Sequence, residues 1–419
     1  MTSYDLVVIG GGPAGMMAAG TAAEMGASVA LIEKNQRNGK KLLITGKGRC
    51  NVTNDCTRDG FFANIPVNPK FLFSSFAKFS NADVMNFFES HGVPLKVERG
   101  NRVFPVSDKA ADINNALIEF VRGSGVHMMR DTATGIMAED GRITGVRTQD
   151  RGEVPCSGCI IATGGRSYPL TGSTGDGYVF ARSVGHTVVK PKPSLVPLVV
   201  EGRECAEAQG LSLKNIAIRV TETDSGKLIY KDFGEMLFTH FGMSGPVILS
   251  ASSHMRDPKK RYTISIDIKP ALSLEQLDSR IQRDFSDNIN KDFVNSLSKL
   301  LPQKIISVII KRTGIPYTTK VNSIRREQRM ALAELLKNLT FSVTGFRPIE
   351  EAIITSGGVS VTEIDPKTME SKLVEGLYFA GEVMDVDAHT GGFNLQIAFS
   401  TGRCAGIAAA ERMGFYSYD

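Results

Sequence analysis

The feature that most constrains this chain is Gly10-x-Gly12-x-x-Gly15, set between a strand-like and a helix-like segment. Before it, Tyr4-Asp5-Leu6-Val7-Val8-Ile9 is short, apolar and β-branched at its end. After it, Met16 to Met25 is rich in Ala and Met, which favour helix, and Gly26 closes the run. A second apolar strand, Ser28-Val29-Ala30-Leu31-Ile32-Glu33, follows. Strand, glycine turn, helix and strand make a βαβ unit and imply a parallel sheet. Gly10 permits the tight turn, Gly12 lets a pyrophosphate approach the backbone, and Gly15 lets helix and strand pack closely. The helix N-terminus adds unpaired N–H groups and a positive dipole end. Glu33 ends the second strand, where an acid accepts hydrogen bonds from both ribose hydroxyls and repels a 2′-phosphate. The expected ligand is a dinucleotide, NAD or FAD.

The rest of the chain favours FAD. An NAD dehydrogenase normally continues with more βαβ units, but here a basic, glycine-rich loop runs from Gly39 to Asn51. Its lysines, arginine and glycines suit an extended diphosphate. Ala162-Thr163-Gly164-Gly165, after three short strands, is a second flavoprotein-type mark. Gly381-Glu382, after the apolar run Leu377–Ala380, is a third.

Composition bounds the partners. The net charge of +5 and the lack of any long single-sign run give little reason to expect nucleic acid. Six cysteines in 419 residues are no disulfide scaffold, so a reducing cytoplasm is expected. The first basic residue is Lys34, which leaves no signal-peptide n-region, and no apolar run approaches the ~18 residues of a membrane span. The expected partner is a small-molecule substrate, with no nucleic acid and no membrane; the oligomeric state is open.

Further along, residues 69–91 and 108–122 read as helices, and 126–138, 142–148 and 153–162 as strands with an Asp140-Gly141 hairpin. From about 190 the texture changes, marked by Pro191, Pro193 and Pro197. Residues 211–268 alternate apolar and polar, as antiparallel β or a small barrel. Residues 273–339 are helical and open on a Ser273–Gln276 capping box. After 345 strands and glycine turns return, and a last helix runs from about Leu395 to Met413.

Thr45-Gly46-Lys47-Gly48-Arg49-Cys50-Asn51-Val52-Thr53-Asn54 resembles the GGGRCNVTN signature of the bacterial aminoacetone-oxidase-like (BaiN/RdsA) NAD(P)/FAD-dependent oxidoreductases. Arg102-Val103-Phe104-Pro105, Leu237 to Pro246 and Gly391 to Gln396 resemble further signatures of that family, so the likeness spans nearly the whole chain. It departs at Lys47, where the family has glycine.

The resemblance implies an α/β fold: a Rossmann-like, glutathione-reductase-type FAD-binding domain with an inserted β-barrel-like domain and a small helical domain. The boundaries expected here are 1–190 plus 346–419, 191–272 plus 340–345, and 273–339. By the same resemblance, Gly10, Gly12, Pro13, Ala14, Gly15, Glu33 and Lys34 hold the ADP half, and Thr134 meets the adenine through its backbone. Lys41, Gly48, Arg49, Cys50 and Asn51 lie along the diphosphate and flavin, with Ala162 and Gly164 close by. Gly381, Glu382, Gly392, Phe393, Asn394 and Leu395 border the ribityl chain and the flavin ring.

Cys156-x-x-Cys159 falls inside a strand and reads as structural rather than redox-active. His240 and His389, in glycine-rich loops, are the candidate catalytic residues, and loops around them and Arg102 are candidates to line the substrate site. The expected activity is hydride transfer at FAD on a small organic substrate, an amine or amino ketone being oxidised directly. The alternatives are NAD(P)H-driven reduction of an unsaturated substrate, with NAD(P)H bound transiently, and a non-catalytic FAD sensor or scaffold. An FAD-dependent RNA-modifying enzyme is a further rival, disfavoured by the weak basic excess. No second G-x-G-x-x-G follows a strand, so no separate nicotinamide domain is expected.

Overall fold

The computed structural model describes residues 3–255, 257 and 259–416. It contains two compact units, Met1–Ser194 with Ile349–Asp419, and Leu195–Pro348.

The first unit is built on the predicted βαβ: β1 (Tyr4–Ile9), α1 (Pro13–Glu24) and β2 (Val29–Glu33). β1 sits inside a seven-stranded sheet, parallel to β2 on one side and to Gly152–Ile161 on the other. Leu6, Val7 and Val8 are fully buried, as expected of a strand covered on both faces. His127–Arg130 extends the sheet beyond β2, and Leu377–Phe379 pairs in parallel with Gly152–Ile161. Ala133–Glu139, Arg142–Thr148 and Gly152–Ile161 form an antiparallel meander. Its first turn is the predicted hairpin: Asp140 and Gly141 both have positive φ, 49° and 74°, as a type I′ turn demands.

Three expectations are corrected. The strand read at 126–138 is two strands, His127–Arg130 and Ala133–Glu139. At the break the Asp131 carboxylate accepts the N–H groups of Thr132, Asp150 and Arg151, so a side chain replaces the ladder. The helix read at 69–91 is a 3-10 turn, Pro69–Leu72, then helices Phe73–Lys78 and Asn81–Ser90. Ser80 restarts the last of these through a capping box with Asp83. The stretch 211–268, read as wholly β, contains the helix Pro246–His254, which Pro246 opens at a first-turn position that needs no N–H.

The helix Phe393–Arg412 packs along α1 with the backbones in contact. A Cβ on Gly402 would fall 2.4 Å from the Ala14 carbonyl oxygen, and one on Gly406 2.5 Å from that of Ala18.

The second unit is a closed six-stranded barrel in the order Leu198–Val200, Gly242–Ser244, Leu228–Thr239, Ser212–Glu222, Tyr262–Asp267, Leu339–Phe346. Tyr262–Asp267 alternates buried and half-buried residues, which is the apolar–polar alternation of its sequence. Helices Leu274–Ser286, Gln303–Thr313 and Arg326–Lys337 bury Leu277, Ile281, Ile309 and Leu332 in the same core as Ile264 and Phe341 of the barrel. The helical segment therefore shares the barrel's core. Among the described residues no helix is long and apolar enough to cross a membrane.

Candidate functional site

The carboxyl ends of the parallel strands open onto one cleft in the first unit, where ligands of such sheets bind. Ile9 to Ala14 forms its floor. Gly10 has φ +106°, and a Cβ there would sit 2.6 Å from the Ala162 carbonyl oxygen. A Cβ on Gly15 would sit 1.9 Å from the Gly10 carbonyl oxygen, so Gly15 lies behind the cleft and lets α1 approach. Gly12 differs: a Cβ there would meet no protein atom within 4 Å. It caps α1 without any side-chain hydrogen bond, so first-turn N–H groups face the cleft without a side-chain acceptor.

Glu33 stands at the end of β2 on the cleft wall. Its Oε2 accepts the Gly11 N–H at 2.7 Å, and its Oε1 accepts both nitrogens of Asn35 at 2.7 Å. A carboxylate has about four acceptor positions, so this fixed group still has capacity for hydroxyl donors. Lys34 donates to Thr174 at 2.5 Å and pairs with Asp176 at 2.6 Å. Lys41 pairs with Glu382 at 2.7 Å and donates to Ser167 at 2.7 Å. Glu382 also accepts from Ser167 Oγ and the Thr355 N–H.

Opposite α1, Asn394 and Leu395 bring the first turn of the helix Phe393–Arg412 to the cleft. Its N-cap, Gly392, again offers no side-chain cap. A Cβ on Gly392 would fall 2.3 Å from the Thr53 carbonyl oxygen. Asn394 braces the loop before it: Oδ1 accepts the Ala388 N–H, and Nδ2 donates to the carbonyls of Ala388 and His389. Two helix N-termini thus flank one cleft and favour negative charge in it.

Gly10, Gly12, Pro13, Ala14, Glu33, Lys34 and Lys41 therefore line the cleft, with Ala162, Gly164, Gly381, Glu382, Asn394 and Leu395. Gly48, Arg49, Cys50, Asn51, Thr134, Gly392 and Phe393 do not line it. Arg49 pairs with Glu98 and, at 2.6 Å, with Asp108, and its guanidinium lies over Phe104 at 4.2 Å. Glu98 and Asp108 together raise the Arg49 pKa. Cys50 is fully buried, and burial pushes its thiol up to about 12. Beside Thr134, Ala133 and Asp131 reach the cleft instead.

Lining residues not read from the sequence include Asn35, Thr171 to Ser173, Asp176, Phe180 and Ile353. The run Thr171-Gly172-Ser173-Thr174-Gly175 was the available signal for the second group, a polar glycine loop directly before a helix.

His389 is buried, its N–H donates to the Asn64 carbonyl, and its Nδ1 lies 3.1 Å from Asn64 Oδ1. His240 is exposed, at the turn between two barrel strands of the other unit, edge-on to Phe241. Cys156 and Cys159 are buried in the strand Gly152–Ile161. Burial pushes the Cys156 thiol up to about 12 and the Cys159 thiol well above its ordinary value. Among the described residues no cluster of His, Cys, Asp and Glu is built to hold a metal.

FAD fits this lining. Gly12 leaves an open cradle at a helix N-terminus, and Glu33 is fixed at the end of β2.

The family described as "HI0933-like protein Rossmann domain" matches residues 4–408. A 3-dehydro-bile acid delta(4,6)-reductase of Clostridium scindens is 30% identical over 97% of this chain and 98% of its own. A ribosomal RNA dihydrouridine synthase of Escherichia coli is 31% identical over 96% of each chain. Among solved structures, a 3-ketosteroid delta1-dehydrogenase of Sterolibacterium denitrificans covers 98% of this chain and all of its own, at 12% identity and a TM-score of 0.52, which is a likeness of fold.

Proposed function

The chain belongs to the HI0933-like family of FAD-dependent oxidoreductases, and from that premise we propose that it saturates a carbon–carbon double bond conjugated to a carbonyl. One observation carries this reading. Both relatives named above, each aligned over nearly its whole length, have names that denote the same change, loss of a ring double bond next to a carbonyl. This prefers the reductase alternative over oxidation of an amine or amino ketone.

In this reading α1 and the helix Phe393–Arg412 hold the negative parts of FAD at their N-termini, and Glu33 takes the ribose hydroxyls. Lys41, fixed by Glu382 and Ser167, offsets diphosphate charge. When bound, FAD supplies the hydride-transfer chemistry. His389, anchored through Nδ1 to Asn64, is the group we assign to holding the proton for the substrate carbon next to the carbonyl. NAD(P)H is the proposed electron source, bound transiently, and the free cysteines fit a reducing cytoplasm.

A second reading keeps the chemistry and places the double bond in an RNA base. The charge distribution favours it: Leu195–Pro348 holds 23 basic and 16 acidic residues, against 26 and 28 in the rest of the chain.

The test is anaerobic addition of NADH, then NADPH, to the FAD-loaded protein while the yellow flavin absorbance is followed. Bleaching, then return of colour with a 3-oxo-Δ4 steroid, is the expected result. Return of colour only with a uridine-bearing RNA selects the second reading. A flavin that stays yellow with both nucleotides but bleaches with an amino ketone overturns both.

A further inference from the structure

The barrel unit has a cleft of its own, whose lining shares no residue with that of the dinucleotide cleft. It opens beside an irregularity in the strand Ser212–Glu222, where pairing to Leu228–Thr239 shifts register between Leu213 and Ile216. The cleft measures about 470 Å³, within the roughly 300–1,000 Å³ of small-molecule sites. Its walls are apolar: Ile216, Phe233, Ile268 and Leu272 all contribute. Phe233 is a large apolar side chain left 51% exposed.

Lys269 lines this cleft and is half-buried. Its backbone is held from behind. The Ile268 N–H donates to the Leu336 carbonyl, and Lys337 Nζ donates to the carbonyls of Lys269 and Leu272 at 3.1 and 2.7 Å. The side chain is thus not needed to shape the loop. Among the described residues the Lys269 ammonium has no ion pair within 4 Å. The nearby acid, Asp284, is taken by Arg280 at 2.9 Å. No acidic residue lines the cleft, and a second cation, Lys214, stands exposed on it.

A half-buried cation beside apolar walls, with no ion-pair partner, is complementary to one kind of small molecule. We propose that this cleft binds an amphipathic carboxylate, an aliphatic acid whose chain lies along Phe233, Ile216 and Leu272 and whose carboxylate meets Lys269. The bound acid supplies the missing ion-pair partner and covers the exposed ring. Burial first, and then Arg280, hold the Lys269 ammonium below the ordinary lysine range, with Asp284 opposing them.

Calorimetric titration of the FAD-loaded protein with decanoate and with decanol tests this. Saturable one-to-one binding of decanoate is expected, with decanol about tenfold weaker, the worth of one charge-assisted hydrogen bond. Lys269→Met should weaken decanoate by about the same factor and leave decanol unchanged, while Lys269→Arg should restore decanoate. Phe233→Ala, an exposed change, should weaken both ligands. Equal affinity for acid and alcohol, unchanged decanoate binding in Lys269→Met, or no saturation overturns the proposal. The flavin of the same samples reports the dinucleotide site separately, so failure here is distinguishable from failure of the reductase reading.

Discussion

Lys41 Nζ and Glu382 Oε2, 341 residues apart in the chain, meet at 2.7 Å on the wall of the dinucleotide cleft. Glu382 is also held by the Thr355 N–H and by Ser167 Oγ, which itself accepts from Lys41, so the carboxylate stays anchored without the lysine. Lys41→Met should leave a fixed, uncompensated carboxylate facing the diphosphate. Affinity for FAD should fall by about tenfold or more, as loss of a charged hydrogen bond costs about 1.5–3 kcal/mol. Fluorescence titration of the apoprotein with FAD measures it, and an unchanged Kd would confine Lys41 to a structural role.

Gly12 and Gly15 separate ligand space from packing space. Gly15→Ala drives a methyl into the Gly10 carbonyl, so the variant should fold poorly and purify without flavin. Gly12→Ala meets no protein atom, and its backbone, at φ −82°, suits any residue. That variant should keep its melting temperature and lose FAD affinity. Melting curves of the two apoproteins beside flavin content decide it.

Lys47 occupies a left-handed position, φ 60° and ψ 39°, between Gly46 and Gly48. The departure from glycine at this position is therefore tolerated at a conformational cost of about 1–2 kcal/mol, partly offset because glycine loses more entropy on folding. Lys47→Gly should raise stability by about 0.5–1 kcal/mol, and Lys47→Ala should not. Urea midpoints measure both.

His186 is buried against Phe379 and bonded to Ser371 Oγ at 2.7 Å. Burial lowers its pKa, with Glu363 pulling the other way. The unfolded chain therefore takes up this proton at about 6.5, while the folded chain takes it up only at lower pH. Stability from this group is present above about pH 6.5 and is lost as pH falls below it. The drop in melting temperature from pH 7.5 to 5.5 should be smaller in His186→Gln than in the parent, and equal slopes would exclude the histidine as the cause.

Five of the six cysteines are buried, and Cys56 is half-buried. Native protein treated with an aromatic disulfide reagent should release no more than one equivalent of thiolate, rising to six in denaturant. Rapid release of two equivalents lost in Cys156→Ser would restore a redox role for that pair.

The local parts of the fold were legible. The βαβ unit, the Asp140-Gly141 hairpin and the Ser273 capping box each arise from residues a few positions apart, whose geometry follows from backbone sterics. The alternation of 262–267 was equally open to reading, because a barrel buries every second residue. What stayed hidden depends on distant partners. Arg49 was expected at the cofactor; it pairs with Glu98 and Asp108 and is not among the residues lining the cleft. Ile353 and Ser173 reach the cleft only through tertiary packing. Asp131 splits a strand by capturing N–H groups from a turn nearly twenty residues on.

The contact of Gly402 and Gly406 with α1 also sets an order of events during synthesis. α1 leaves the ribosome early, with its dinucleotide turn, but one wall of the cleft comes from a helix made after all the intervening residues. The barrel unit is translated whole in between, so it can fold while the dinucleotide site is still half built. Flavin loading is thereby tied to completion of the last helix, and a nascent chain stalled before Phe393 should emerge colourless.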